Sequence, residues 1–348
     1  MAEKILEVNQ LTVGFLTNDG FVKATDRVSF HLNKGETLCV VGESGSGKSV
    51  ASLAIMRLID FSGGVILEGN IRFNNEDLTT KTQDEMTAIR GNRIAMIFQD
   101  PMTALNPVFT IGDQIAESLM IHQNMKRDDA MKEAVELLRH VGIPSPEIRA
   151  RQYPHELSGG MCQRVIIAIA LACKPDILIA DEPTTALDVT VQAQILDLLR
   201  KLQDELGMSI LLITHDMGVA AEMADRIAVM YAGTIVEEGT AEEIFDHPSH
   251  PYTQGLLQSI PGINSERGKE LYTIKGTIPR INELPSGCRF HPRCPYATEL
   301  CMREEPGYTQ VGANHRTACW LYHESRRPDA EAEVNTDEPN ARANAKAN

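Results

Sequence analysis

The most constraining feature of the sequence is the segment 42–49, which reads GESGSGKS. It fits the pattern G-x-x-x-x-G-K-[ST], follows the apolar run 37–41 and precedes a predicted helix that begins at Val50. Glycines let the backbone turn tightly with its N–H groups facing inward, and the helix N-terminus adds positive charge to the same concavity. The segment therefore predicts a strand–loop–helix unit that binds a polyphosphate, with Lys48 on the outer phosphates and Ser49 on a bridging magnesium ion.

Length and charge limit the other possibilities. The chain has 348 residues, 43% of them hydrophobic, and no apolar run approaches the roughly 18 residues that a membrane helix needs. The N-terminus lacks a basic segment followed by an apolar core, so we expect a cytoplasmic protein. A formal net charge of −15 argues against an electrostatic hold on nucleic acid or anionic lipid. Any association with a membrane should therefore run through a protein partner.

Three predicted strands end in polar residues. Gln99 follows the strand 94–98, the pair Asp181 and Glu182 follows the strand 176–180, and His215 follows the strand 209–214. Parallel sheets place ligands at the carboxyl ends of their strands. Adjacent carboxylates on a buried strand are costly without a nearby cation, so Asp181 and Glu182 are expected to supply one carboxylate for magnesium and another for a water.

The remaining segments predict a layered α/β protein. Residues 5–41 favour an antiparallel sheet, in which Phe15 or Phe21 either stacks on a nucleobase or simply packs, with Phe15 the stronger candidate for stacking. Residues 110–157 favour a helical insert. The insert ends at Ser158, Gly159 and Gly160, which open an apolar helix. Ser158 is either an ordinary N-cap or part of a second anion-binding helix end.

Taken together, these residues resemble the ATP-binding-cassette (ABC) ATPases over about residues 4–255. The resemblance implies a P-loop NTPase fold with a RecA-like core sheet, an antiparallel β subdomain, an α-helical subdomain and head-to-tail pairing of two cassettes. It assigns Glu182, His215 and Gln99 to catalysis, Ser49, Gln99 and Asp181 to magnesium, and Asp188 to the D-loop. It assigns the remaining positions to ATP binding (Phe15, Gly42, Ser44, Gly45, Gly47, Lys48, Ser49 and Val50) and to a signature that covers the partner's ATP (Ser158, Gly159, Gly160 and Gln163).

The wording of three segments, 99–107, 179–190 and 250–253, is similar to the ATPases of oligopeptide, dipeptide and nickel importers. That resemblance implies ATP-driven peptide uptake at the cytoplasmic face of the membrane, with two permease subunits, an extracytoplasmic binding protein and a second, different ATPase subunit. The alternatives are a nickel importer ATPase, a soluble non-transport ABC ATPase and an exporter. Cys162 departs from most signatures of the family, and we expect no effect because the anion-facing atoms belong to Ser158 and the glycines.

A cysteine-containing segment lies in the part of the chain that follows residue 256. Four cysteines in a short, loop-rich segment suggest a metal or cluster, or else unligated thiols packed in a small core. Resemblance to the importer group implies a [4Fe-4S] cluster, with zinc the less favoured ion. The domain prediction is a nucleotide-binding domain at 1–255 with a helical subdomain at about 105–160, an extension at 256–326 and a disordered tail at 327–348. The predicted ligands are Cys288, Cys294, Cys301 and Cys319.

Overall fold

The computed structural model describes residues 3–17, 20–185, 187–260 and 272–323. Its strands are β1 Lys4–Thr17, β2 Gly20–Asn33, β3 Thr37–Val41, β4 Gly64–Phe73, β5 Glu76–Asp77, β6 Ile94–Ile97, β7 Ile177–Asp181, β8 Ser209–Thr214, β9 Arg226–Tyr231, β10 Thr234–Thr240, β11 Thr309–Gln310 and β12 Arg316–Thr317. Its α-helices are α1 Lys48–Ile55, α2 Gln83–Ile89, α3 Pro101–Ala104, α4 Ile111–Gln123, α5 Arg127–His140, α6 Pro146–Arg149, α7 Gly159–Leu171, α8 Val189–Leu206, α9 Met217–Met223, α10 Ala241–Asp246, α11 Pro251–Gln258 and α12 Glu299–Arg303.

The chain divides into two compact units, each made of several segments. The first unit comprises Met1–Ile5, Leu32–Glu36 and Glu76–Ile213. The second comprises Leu6–His31, Thr37–Asn75 and Thr214–Asn348. The predicted boundary between residues 255 and 256 stays a prediction.

The first unit is built on the parallel strands β6, β7 and β8. Ile94 pairs with Ile177, and Ile177 pairs with Ser209. All residues of these strands are buried, as expected for apolar runs covered on both faces. Helices α4, α5 and α7 pack against one another, and α7 also packs on β6. The predicted helical insert is confirmed, since α4, α5 and α6 all fall within it.

The second unit contains an antiparallel layer and a mixed layer. The antiparallel layer that the sequence predicted is present, with the strand order β2, β1, β4 and antiparallel pairing of β1 with β4. In the mixed layer β3 runs parallel to β9, and β9 forms a hairpin with β10. The short strand β12 then extends the layer by pairing with β10 and with β11. Residues from the cysteine-containing segment thereby complete a sheet that includes the strand leading into the 42–49 loop.

One helix is shorter than predicted. We expected the helix after the loop to reach about Ile59, but α1 ends at Ile55. Arg57 adopts a left-handed φ of 53°, which an α-helix cannot continue through, and a separate 3₁₀ turn spans Ile59–Ser62. The predicted tail at 327–348 lies outside the described residues. Across the described ranges, no helix combines the length and the apolar character needed to cross a membrane.

Candidate active site

The loop between β3 and α1 provides a helix N-terminus suited to an anion. Gly47 is the N-cap of α1, with a φ of 101°, and no side chain in the described part of the chain caps the helix at this position. The first turn also carries no acidic residue. The positive end of the helix therefore meets no negative side chain from its own first turn.

Glycine is required at two points of this loop for steric reasons. A Cβ added at Gly42 would lie 2.1 Å from the carbonyl oxygen of Met230, and one at Gly47 would lie 2.8 Å from the carbonyl oxygen of Ala24. Both neighbours are backbone atoms, which cannot rotate away as a side chain can. Strands β9 and β2 thus pack directly on the loop through the backbone of Met230 and Ala24.

Polar groups of the loop converge on its interior. Lys48 is 4% exposed, and its Nζ donates hydrogen bonds to the carbonyl oxygens of Gly42 and Glu43 at 2.7 and 3.1 Å. The hydroxyl of Ser46 is buried and has no hydrogen-bond partner among the described residues. A buried ammonium, an unpartnered hydroxyl and an uncapped helix N-terminus are together the donor set that a polyphosphate needs. The loop therefore fits the anion that the sequence predicted.

A second polar cluster surrounds the end of β7. Gln99 donates from Nε2 to Oε2 of Glu182 at 2.8 Å, and the Thr185 hydroxyl donates to the same oxygen at 2.9 Å. Glu182 has a left-handed φ of 48°, and its N–H donates to the carbonyl oxygen of Ile213. Asp181, the last residue of β7, is 6% exposed. The structure thus brings two of the predicted catalytic side chains, Gln99 and Glu182, into direct contact.

The third cluster joins two helix N-termini. The Ser158 hydroxyl caps α7 by accepting a hydrogen bond from the N–H of Met161 at 3.4 Å, and the Asp188 carboxylate caps α8 through the N–H of Val191 at 2.9 Å. A Cβ at Gly160 would lie 3.0 Å from Val191, whereas one at Gly159 would meet no atom within 4 Å. Gly160 therefore allows the two helix starts to approach, while Ser158 and Gly159 are exposed and accessible to another molecule.

Comparison with known proteins identifies the family. The family described as "ABC transporter" matches residues 25–185, and the family described as "Oligopeptide/dipeptide transporter, C-terminal region" matches residues 236–301. The oligopeptide transport ATP-binding protein AppD of Bacillus subtilis (strain 168) is 53% identical over 320 residues, which cover 92% of this chain and 97% of AppD. The chain belongs to the ABC transporter family. The dipeptide transport ATP-binding protein DppD of Haemophilus influenzae is 52% identical over 309 residues, 89% of this chain and 93% of its own length.

Solved structures agree with this assignment. A dimeric ATP-binding cassette, MJ0796, in a post-hydrolysis state bound to ADP and Pi, superposes with a TM-score of 0.61 and 31% sequence identity. The match covers 68% of this chain and 98% of the cassette. The predicted α/β P-loop fold is confirmed, and as an ABC ATPase the protein binds and hydrolyses ATP. Magnesium is the metal expected with that nucleotide.

The other predicted ATP-site residues are not all drawn into these clusters. Phe15 lies on β1, where its ring covers Gly64: a Cβ there would lie 2.8 Å from Phe15 Cε1. His215 follows β8 and is exposed. Gln163 is 1% exposed inside α7 of the ABC ATPase, and Cys162 beside it is wholly buried, with its thiol 3.5 Å from the carbonyl oxygen of Pro154. Base stacking by Phe15 and the roles of His215 and Gln163 stay predictions.

The predicted iron–sulfur or zinc site is wrong. Cys288, Cys294, Cys301 and Cys319 line one cavity of ≈ 20 Å³, which is room for about one water molecule. Among the described residues, no group of three or more His, Cys, Asp or Glu side chains is arranged to hold a metal ion. Burial raises the pKa of Cys288 to about 11 and that of Cys319 to about 12. Resemblance in cysteine spacing did not translate into ligand geometry.

Sequence reasoning missed two side chains of this ABC ATPase, Tyr252 and Arg293, that contact the 42–49 loop at Glu43. Glu43 occupies a variable position of the motif, and its partners, Tyr252 and Arg293, lie more than 200 residues further along the chain. Residues 250–253 resemble the corresponding segment of the importer group, but nothing in that segment indicates contact with the loop. Charge pairing over such a separation leaves no local pattern in a sequence.

Proposed function

We propose that this protein is the ATP-hydrolysing subunit of an importer that takes up di- or oligopeptides across the cytoplasmic membrane. The observation that carries the proposal is the match of residues 236–301 to the oligopeptide/dipeptide transporter C-terminal region. Identity of 53% to AppD over 92% of the chain supports it along the whole length. The relatives reported above are named as oligopeptide or dipeptide transport proteins, and no comparable observation favours a nickel importer or a soluble ABC ATPase.

The residue roles follow from chemistry and from the clusters described above. Lys48 and the amides at the start of α1 bind the phosphates, and Phe15 stacks on the base. Ser49, Asp181 and Gln99 hold the magnesium ion, which neutralises charge on the phosphates. Glu182, oriented by its hydrogen bonds to Gln99 and Thr185, accepts the proton of the attacking water. His215 senses the terminal phosphate.

The exposed N-terminus of α7 gives the protein a role in trans. Ser158 and Gly159 are both exposed. A Cβ added at Gly159 would meet no atom within 4 Å. In our proposal these residues, with Gly160 and Gln163, cover ATP bound to a second ATPase subunit, and Asp188 lies at the same interface. A second, different ATPase, two permease subunits and an extracytoplasmic binding protein complete the importer, and the subunit is peripheral at the cytoplasmic face of the membrane.

Uptake by cells that lack the gene tests the proposal. A deletion strain carrying the wild-type gene should accumulate labelled di- or oligopeptides, and the same strain carrying Glu182→Gln should not. Nickel accumulation, measured in parallel, should be equal in the two strains. Restoration of nickel uptake without peptide uptake would overturn the assignment of cargo, and restoration of neither would remove the transport role.

A further inference from the structure

Glu43, the second residue of the phosphate-binding loop, is held by two side chains from the C-terminal part of the chain, Tyr252 on α11 and Arg293 in the extension. Its N–H donates to the Tyr252 hydroxyl at 2.9 Å. Its carboxylate accepts two hydrogen bonds from the Arg293 guanidinium, Nη1 to Oε2 at 2.6 Å and Nη2 to Oε1 at 3.0 Å. This bidentate arrangement fixes orientation as well as distance.

Both partners of Glu43 are themselves rigidly placed. Arg293 is 5% exposed in its side chain and donates also to the carbonyl oxygens of Lys275 and Ile274, at 3.0 and 3.4 Å. Tyr252 is fully buried. Its ring packs edge-on against Tyr231, with the centroids 4.7 Å apart, and at a tilt against Phe290, with the centroids 5.4 Å apart. A buried guanidinium with this many acceptors loses little freedom when it binds a carboxylate.

Glu43 in turn controls the groups that meet the phosphates. Its carbonyl oxygen accepts hydrogen bonds from Lys48 Nζ at 3.1 Å and from the N–H of Ser46 at 3.2 Å. Rotation of the peptide at Glu43 would therefore displace both the ammonium and the inner turn of the loop. Among the described residues, the hydrogen bonds of Arg293 to the 42–49 loop go to Glu43, which sits at a position that the motif leaves variable.

We propose that Arg293, with Tyr252, is a positioning residue for ATP binding: it holds Glu43 so that the phosphate-binding loop is preorganised before nucleotide arrives. Preorganisation lowers the free-energy cost of binding without touching the ligand. The extension is then a working part of the nucleotide site, independently of which cargo the transporter carries. Because ATP affinity can be measured on the purified chain without any cargo, failure of this proposal is distinguishable from failure of the proposed transport function.

The test is the dissociation constant of the full-length chain for magnesium–ATP. Arg293→Met and Glu43→Gln should each weaken binding about tenfold, which corresponds to about 1.4 kcal/mol. The double variant should bind no more weakly than either single variant, because Arg293 acts through Glu43. In the assembled transporter, KM for ATP should rise while kcat at saturating ATP stays within about twofold.

Arg316→Met is the matched control. Arg316 also joins the extension to the body of the second unit, donating to Glu238 and to the carbonyl oxygen of Ser29, but none of its recorded contacts is with the loop. It should lower the unfolding midpoint as Arg293→Met does and leave ATP affinity unchanged. If Arg293→Met fails to fold, Glu43→Gln decides alone, because that side chain is 31% exposed and the substitution keeps its size.

Coupling must act in both directions. Magnesium–ATP should slow backbone hydrogen exchange around residues 288–294 in the wild-type chain, and this protection should be absent in Glu43→Gln. Four results would each overturn the proposal. They are an unchanged ATP affinity in Glu43→Gln, a double variant that binds ATP more weakly than either single variant, an equal loss of ATP affinity in Arg316→Met, and no protection of residues 288–294 from hydrogen exchange by ATP.

Discussion

Gln99 and Glu182, which are 83 residues apart in the chain, share a hydrogen bond of 2.8 Å at the ends of neighbouring parallel strands. The amide donates, so the Glu182 carboxylate is held as a hydrogen-bond acceptor. Thr185 donates to the same oxygen as Gln99 does. The carboxylate is therefore aimed by two donors, each of which can be removed without removing the carboxylate.

Replacing Glu182 by Gln should abolish turnover while leaving ATP binding intact. The amide can still accept the hydrogen bonds of Gln99 and Thr185 through its oxygen, but it cannot take a proton from water. Steady-state ATPase activity of the assembled transporter should fall by about 100-fold or more, with nucleotide affinity of the purified chain near that of wild type. Glu205→Gln, an exposed change on α8, is the control. Wild-type hydrolysis by Glu182→Gln would remove this residue from its assigned role.

Removing the donor in Gln99→Ala should have a smaller effect than removing the acceptor. Thr185 still donates to one oxygen of Glu182, so the carboxylate stays available as a base but loses part of its orientation. We expect kcat to fall about tenfold, equivalent to about 1.4 kcal/mol. The double variant Gln99→Ala/Thr185→Ala should fall further. A Gln99→Ala enzyme as inactive as Glu182→Gln would mean that the proposed magnesium contact of Gln99, and not its hydrogen bond to Glu182, dominates its contribution to turnover.

Lys48→Ala should weaken nucleotide binding itself. The Lys48 ammonium is buried and held inside the loop by the carbonyls of Gly42 and Glu43, so its loss removes the central positive charge of the phosphate site. Affinity for magnesium–ATP, measured by titration of the purified chain, should fall at least about tenfold, in line with one lost charge-assisted hydrogen bond. Lys132→Ala on the exposed face of α5 serves as control. Equal affinities for the two variants would contradict the phosphate role.

Alanine at Gly42 should cost more stability than alanine at Gly45, although both belong to one motif. The Cβ at Gly42 meets the Met230 carbonyl at 2.1 Å, whereas the Cβ at Gly45 meets nothing within 4 Å and suffers only from its left-handed φ of 82°. We expect Gly45→Ala to lower the free energy of unfolding by about 1 kcal/mol and Gly42→Ala by more than about 2 kcal/mol. Denaturant unfolding of the purified chain measures both. The reverse order would show that the contact with β9 yields easily.

Stability should fall with pH below about 6.5 because of His250. Burial lowers the pKa of this ring to about 4, with Glu237 opposing the effect weakly. The unfolded chain takes up a proton near pH 6.5, while the folded chain does so only near pH 4, so acid favours unfolding across that window, by up to roughly 3 kcal/mol.

The variant His250→Asn separates the contribution of the His250 ring to the pH dependence of stability from the contributions of other titrating groups. His250 caps α11 by accepting the N–H of Tyr252 at 3.1 Å, and an asparagine oxygen can do the same. The free energy of unfolding of the variant should depend less steeply on pH between about 6.5 and 4 than that of the wild type. An unchanged slope in His250→Asn would place the acid sensitivity elsewhere.

Much of the nucleotide site was readable from the sequence because its parts are local. The loop needs a strand, three turn glycines and a helix start within a dozen residues, and the catalytic glutamate directly follows a buried strand. Hydrophobic periodicity and motif spacing predict such features without knowledge of the fold. The family resemblance then ordered them, and the α/β fold, the helical insert and the antiparallel layer all agree with the structure.

What only the tertiary structure decided is which distant side chains meet. The contact of Gln99 with Glu182 and the hold of Arg293 and Tyr252 on Glu43 join residues separated by 83 to 250 positions. The four cysteines show the converse, since their spacing suggested a metal site that the placed side chains do not form. Spacing along a chain constrains neighbours strongly and distant pairs hardly at all, because loop closure between distant segments is determined by packing of the whole unit.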